Sequence, residues 1–215
     1  MNNSVHEQRS GEKAGELITG PPPHVIEIEL VTLAMVPVQP SARARSAKGV
    51  EQQRSASREA LRLCAGRCGA PLDGWHHRAN GAPVPNVGWF WSQSHKRCWA
   101  GACISREHVG LDIEAITPRR VELYEEIGSA EEWLLLGGRT WPHFFRLWTA
   151  KEATVKAHGL GIGALDMCQL SAVESAEALT MIFQEVPWRV WHVYFDNHLA
   201  AVATPIRTTE TGLSS

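Results

Sequence analysis

Two stretches of this chain combine residue types and spacings that could do chemistry. The first is HVGLDIEAI (108–116), with carboxylates at Asp112 and Glu114. The second is LWTAKEATVKAHGLGI (147–162), with Lys151 and Glu152 side by side and Lys156 one turn later. In an extended strand Asp112 and Glu114 share one face while Leu111 and Ile113 share the other. Two carboxylates so close repel unless a cation lies between them, and a hard divalent ion takes one or two carboxylates together with substrate phosphates. In a helix Glu152 and Lys156 are i and i+4 on a neighbouring face, bordered by Lys151. Upstream, Arg54, Arg58 and Arg62 recur every four residues along one helical stripe, and QSHKR (93–97) gathers a hydroxyl, an imidazole and two cations. The arginine fork is well shaped for phosphate.

Taken singly, each segment suits a solvated strand face, a surface ion pair or a wet helix face. Together, acidic strand, Glu-Lys helix and basic segments describe a phosphate-rich ligand held through a divalent metal. The elements that must position them read as follows. HVIEIELVTLAMVP (24–37) predicts a strand, and helix formers dominate from Ser46 to Gly66. Three strands follow in NVGWFWSQS, CWAGACIS and HVGLDIEAI, then a helical region over about 119–159 closed by Gly159, Gly161 and Gly163. LTMIFQEV predicts one strand, and WRVWHVYF-DN-HLAAVAT a hairpin turning at Asp196-Asn197. This order implies an α+β fold with mainly antiparallel sheet, and the two halves have similar element content.

The 215 residues suffice for one large domain or two small ones, and 44% hydrophobic with 20% charged residues is globular composition. A net charge of −2 argues against bulk nucleic-acid binding. The average hides an asymmetry. Residues 42–81 hold eight Lys/Arg against three acidic residues, an excess of five, so the remainder carries −7. Five cysteines in no CxxC pattern read as reduced thiols of a cytoplasmic protein. The polar start lacks a secretory h-region, and no apolar run is long enough to span a membrane.

VGLDIE followed by LWTAKEATVKAHGLGI resembles the paired signature of the 4′-phosphopantetheinyl transferases, G-[IV]-D-x-E and W-x-x-K-E-[AS]-x-x-K. Gly110, Asp112 and Glu114 fit the first motif, with Leu111 in place of Ile/Val; Trp148, Lys151, Glu152, Ala153 and Lys156 fit the second. SHKRCW is similar to the family's Ser-His motif, and RSASREALRL to its N-terminal helix. The likeness runs from about residue 25 to 205 and points to the long, monomeric Sfp-type group. It implies two similar subdomains related by a pseudo-twofold, over 24–106 and 107–206, each a small mainly antiparallel sheet packed against helices, with flexible tails at 1–23 and 207–215.

The resemblance further implies transfer of the 4′-phosphopantetheine arm of coenzyme A to a serine of an apo acyl or peptidyl carrier protein, releasing adenosine 3′,5′-bisphosphate. Asp112, Glu114 and Glu152 would ligate Mg²⁺ (or Mn²⁺), Glu152 would also act as general base, and Lys156 would stabilise pyrophosphate charge with Lys151 nearby. Arg54, Ser94 and His95 would bind coenzyme A around its 3′-phosphate. No nucleic acid or membrane partner is implied. Three positions depart from the pattern: Ala82 stands where many relatives carry the lysine of Gly-Lys-Pro, Gln93 replaces an apolar residue, and Lys96 replaces a small one. Arg78 and Lys96 are the candidates to compensate for the missing lysine. Two rival readings are a Mg²⁺-dependent nucleotide phosphohydrolase and a catalytically weak relative that only binds coenzyme A or a carrier.

Overall fold

A computed structural model describes residues 23–38, 47–96, 98–160 and 162–207. Residues 1–22 and 208–215 of the tails, with Arg43, Arg45, Arg97 and Gly161, lie outside the described residues. The chain folds as α+β with two antiparallel sheets. Strands β1 (His24–Ile28), β2 (Val31–Pro37), β3 (Phe90–Lys96) and β4 (Trp99–Ser105) form the first, in the order β1-β2-β4-β3. The second contains β5 (Gly110–Ala115), β6 (Cys168–Val173), β7 (Ala178–Phe183), β8 (Val186–Phe195) and β9 (His198–Pro205), in the order β5-β9-β8-β7-β6.

Helix α1 (Ala47–Cys68) lays Ala56, Ala60, Leu61, Cys64 and Ala65 on the outer face of the first sheet, at the spacing a helical stripe requires. It runs through Gly66 and ends at Gly69, whose φ of 73° is the left-handed stop that glycine favours. The opposite face of this sheet packs on the second sheet, where Leu33, Met35 and Trp99 meet Leu111, Ile113 and Val202. The far face of the second sheet is covered by helix α4 (Trp141–Ala157), with Leu147, Ala150 and Ala153 inward. The result is helix, sheet, sheet, helix, with three apolar layers between them.

The two units share a core. In the first, β2 leads through α1 to the hairpin β3–β4, whose second strand returns beside β2. In the second, β5 leads through α4 and eventually to the hairpin β8–β9, whose second strand returns beside β5. Strands β6 and β7 extend the second copy only.

Several sequence expectations change. The strand predicted over 24–37 is a hairpin, folded at Glu29 with φ 51° and Leu30. Gln184 and Glu185, both at positive φ, likewise end the predicted 179–186 strand at Phe183. Neither turn has the Gly or Asn-Gly that marks such a reversal. The 119–159 helical region breaks into α2 (Leu123–Ile127), α3 (Ala130–Leu135) and α4, because Ser129 forms a capping box with Glu132 and Thr140 caps the helix that begins Trp141-Pro142. Strand β6, preceded by a 3₁₀ turn over Ile162–Met167, was not expected. The Asp196-Asn197 hairpin forms as predicted, with both residues at positive φ.

Candidate active site

The site is built where β5 crosses α4. Strand alternation sends Leu111 and Ile113 into the layer between the sheets and leaves Gly110, Asp112 and Glu114 facing α4. A Cβ at Gly110 would lie 1.8 Å from the Ala153 carbonyl oxygen and 2.7 Å from the Ala157 nitrogen. Only glycine lets the helix backbone come this close, and Ala150, Ala153 and Ala157 keep its own facing side small. The approach brings the Lys156 Nζ within 2.6 Å of Asp112 Oδ1. Asp112 is 5% exposed and Glu152 6%, so these groups do not form a wet surface face.

The first unit reaches the same place from the other side. Strand β5 is an edge strand, and its outward amides are met by side chains of β3. The Leu111 N–H donates to Ser92 Oγ at 3.0 Å and the Ile113 N–H to Ser94 Oγ at 3.2 Å; Ser94 Oγ in turn donates to Asp112 Oδ1 at 3.1 Å. The next residue on that face of β3, Lys96, places its Nζ 2.7 Å from Glu114 Oε1. Arg119 stands farther from the other Glu114 oxygen, at 3.9 Å.

Asp112 Oδ2 and Glu114 Oε2 are buried with no hydrogen-bond donor. Glu152 sits near enough to feel both carboxylates. Burial pushes its pKa up, the Lys156 ammonium pulls it back, and Asp112 and Glu114 push it up further. Among the described residues no three His, Cys, Asp or Glu side chains stand close enough together to hold a metal ion as they are. The donor set is nonetheless of the right kind for a hard divalent ion, with carboxylate oxygens alone, two of them orphaned in a buried position.

A groove starts at Lys156. Lys156, Ala82, Pro83 and Gly159 line both a cavity of about 130 Å³, which also holds Arg78, His108 and His158, and one of about 340 Å³. The latter shares His77 and Gln93 with a cavity of about 540 Å³ under α1, lined by Arg54, Arg62 and His95 among others. Among the described residues Arg54 and Arg62 have no ion-pair partner, whereas Arg58 is held by Glu51 at 2.6 Å. Burial, with Lys156 and Lys96 adding to it, lowers the His95 pKa, which favours the neutral ring.

Of the residues singled out in the sequence, the structure brings Asp112, Glu114, Glu152, Lys156 and Ser94 together and opens the groove toward His95 and Arg54. It does not bring Lys151 there. Lys151 is buried, its Nζ 3.0 and 3.1 Å from the two Glu132 oxygens, and Glu132 also accepts from Leu170 N–H on β6. Ser94 has its hydroxyl committed to β5. Lys96 is committed to Glu114, which leaves Arg78 as the cation beside Ala82. Ser92 was missed, although it alternates with Ser94 and Lys96 along one strand face.

A family model described as the 4′-phosphopantetheinyl transferase superfamily matches residues 108–203, the stretch that runs from β5 through α4 to β9. That part of the chain is similar to the 4′-phosphopantetheinyl transferase superfamily. Two curated relatives agree. The 4′-phosphopantetheinyl transferase psf-1 of Bacillus pumilus is 35% identical over 89 residues, 39% of this chain and 38% of the relative. The 4′-phosphopantetheinyl transferase gsp of Aneurinibacillus migulanus is 31% identical over 86 residues, 38% of this chain and 36% of the relative. The matches thus span under two-fifths of either relative's length. The matched segment carries all three carboxylates and Lys156, while Ser92, Ser94, Lys96 and Arg54 come from outside it.

Proposed function

We propose that the protein is a monomeric, cytoplasmic, Sfp-type enzyme. It transfers 4′-phosphopantetheine from coenzyme A to a serine hydroxyl of an apo acyl or peptidyl carrier protein and releases adenosine 3′,5′-bisphosphate. The observation that carries this reading is the ion pair of Lys156 with Asp112, which sets the buried carboxylates behind a lysine that lines a groove sharing His77 and Gln93 with the Arg54 cavity. Five free cysteines suit a reducing compartment, and among the described residues no helix is long and apolar enough to cross a membrane.

Arg54 and the neutral His95 receive the 3′-phosphate end of coenzyme A, and Lys156, at the junction of the cavities, faces the pyrophosphate. Asp112, Glu114 and Glu152 would hold Mg²⁺ or Mn²⁺, which supplies charge neutralisation at the pyrophosphate when bound. Glu152 takes the carrier serine's proton directly or through water. The serine oxygen forms its bond to the pantetheine-side phosphorus. The bond from that phosphorus to the bridging oxygen breaks, and its electron pair leaves on the nucleotide. Lys156 offsets the charge that develops on that leaving group. Ser94 fixes Asp112 and so acts as a positioning residue.

Intact-mass measurement on several apo carriers, incubated with the protein, coenzyme A and Mg²⁺, tests the proposal. One phosphopantetheine should be added per carrier, and Glu152→Gln should abolish the gain without loss of fold. Nucleotide hydrolysis in the absence of any carrier would favour a phosphohydrolase instead, and tight coenzyme A binding with no mass gain would favour a non-catalytic binder.

A further inference from the structure

Two ammonium groups stand on the carboxylates of β5, and they arrive from different units. Lys156 comes from α4, beside the groove. Lys96 comes from β3, at the end of the row Ser92, Ser94, Lys96 that runs along the edge of β5. Nothing in the transfer chemistry above calls for Lys96. Its Nζ is nevertheless 2.7 Å from Glu114 Oε1, with the Glu114 side chain 12% exposed and the Lys96 side chain 30%. The other Glu114 oxygen has no hydrogen-bond donor.

We propose that Lys96 is a resident cation that occupies the Glu114 carboxylate and competes with the divalent ion for it, so that Lys96 sets the metal affinity of the site. The inference rests on the assignment of Asp112, Glu114 and Glu152 as metal-holding residues. Asp112 and Glu114 share one face of β5, and the two ammoniums at 2.6 and 2.7 Å offset the repulsion between them. A divalent ion entering beside Glu114 meets an ammonium already using one of its lone pairs, and must displace it or share with it. Lys156, by contrast, lines the groove, where an anionic ligand can take up its charge. The first unit therefore tunes a metal site whose ligands all belong to the second.

Mn²⁺ titration of the full chain, followed by electron paramagnetic resonance in the absence of coenzyme A, reads this directly. Lys96→Met should tighten Mn²⁺ binding about tenfold, as expected for removal of one nearby positive charge from a partly screened site. Lys96→Gln, which keeps a hydrogen-bond donor for Glu114 without the charge, should tighten it similarly and guards against a folding defect in the first variant. In a Glu114→Gln background the Lys96→Met change should have no effect on affinity. Unchanged or weaker binding in both Lys96 variants overturns the proposal, as does tightening that persists in the Glu114→Gln background. Absence of Mn²⁺ binding at millimolar concentration in every variant overturns it together with the metal assignment. A wild-type protein that binds Mn²⁺ with the predicted Lys96 dependence but modifies no carrier refutes the transfer reaction alone.

Discussion

Gly110 is the narrowest tolerance in the site, and Gly110→Ala tests the argument that close helix approach assembles it. The added Cβ would sit 1.8 Å from the Ala153 carbonyl oxygen, 2.9 Å from the Ala153 carbonyl carbon and 2.7 Å from the Ala157 nitrogen. All three are helix backbone, so no side chain can swing aside. Restoring an ordinary separation of ~3.5 Å moves α4 away from β5 by more than ~1 Å. Overpacking of this kind costs roughly 1–3 kcal/mol, and a rigid neighbour places this case at the upper end, about 3 kcal/mol. Glu152 and Lys156 ride on the displaced helix, and a misplacement of ~1 Å at reacting groups costs about 10²-fold in rate. Urea unfolding followed by the fluorescence of the nine tryptophans should show a lower midpoint with an unchanged slope. The kcat for carrier modification, corrected for folded fraction, should fall about a hundredfold. Gly66→Ala is the matched control: that glycine is helical with open space around it, and the same change there should stabilise by about 0.5–1 kcal/mol. A Gly110→Ala protein with wild-type stability and rate would refute the close-approach argument.

Other outcomes follow from the same geometry. His192 is fully buried, with its pKa lowered to about 3 chiefly by burial. Its folded pKa lies below its unfolded value, so its contribution is fully present above about pH 6.5 and is lost as pH falls toward 3, at up to about 1.4 kcal/mol per pH unit. Denaturation from pH 4 to 7 should show that slope, and His192→Gln should flatten it by about one proton. Lys151→Met leaves Glu132 buried with no cation and should cost about 3–5 kcal/mol in urea unfolding. Calorimetry should find coenzyme A affinity of the folded protein intact; lost affinity at normal stability would return Lys151 to the binding set. Arg54→Gln should raise KM for coenzyme A about tenfold with kcat nearly unchanged, the signature of binding lost equally in ground and transition states. An unchanged KM would remove Arg54 from the phosphate site.

The carboxylates were legible because strand periodicity alone places Asp112 and Glu114 on one face, and helical periodicity places Lys156 above Glu152. Lys151 could have been separated from Lys156 by the same rule, since five residues turn the helix by roughly 140°. What could not be read was the meeting of these elements. The reason Gly110 belongs in its motif lies at Ala153 and Ala157, and no local pattern links them. The hydroxyls of Ser92 and Ser94 were equally opaque, because their partners are backbone amides that exist only once β5 has become an edge. The missed hairpins at Glu29 and at Gln184-Glu185 share one cause: ordinary residues adopt a left-handed conformation there with no sequence mark of it.

The hydroxyls along β5 also bear on what could fold alone. The segment that the superfamily covers contains all the acidic groups of the site, yet its first strand has one side closed only by β9. Cut free from residues 24–105, it would present the Leu111 and Ile113 amides unpaired and turn an apolar sheet face containing Leu111, Ile113 and Val202 to water. Such an edge is a template for another strand, and a fragment carrying it is expected to self-associate or aggregate. The first unit acts toward the second as a permanently tethered chaperone, blocking a surface that a separate half would have to cover with a neighbour.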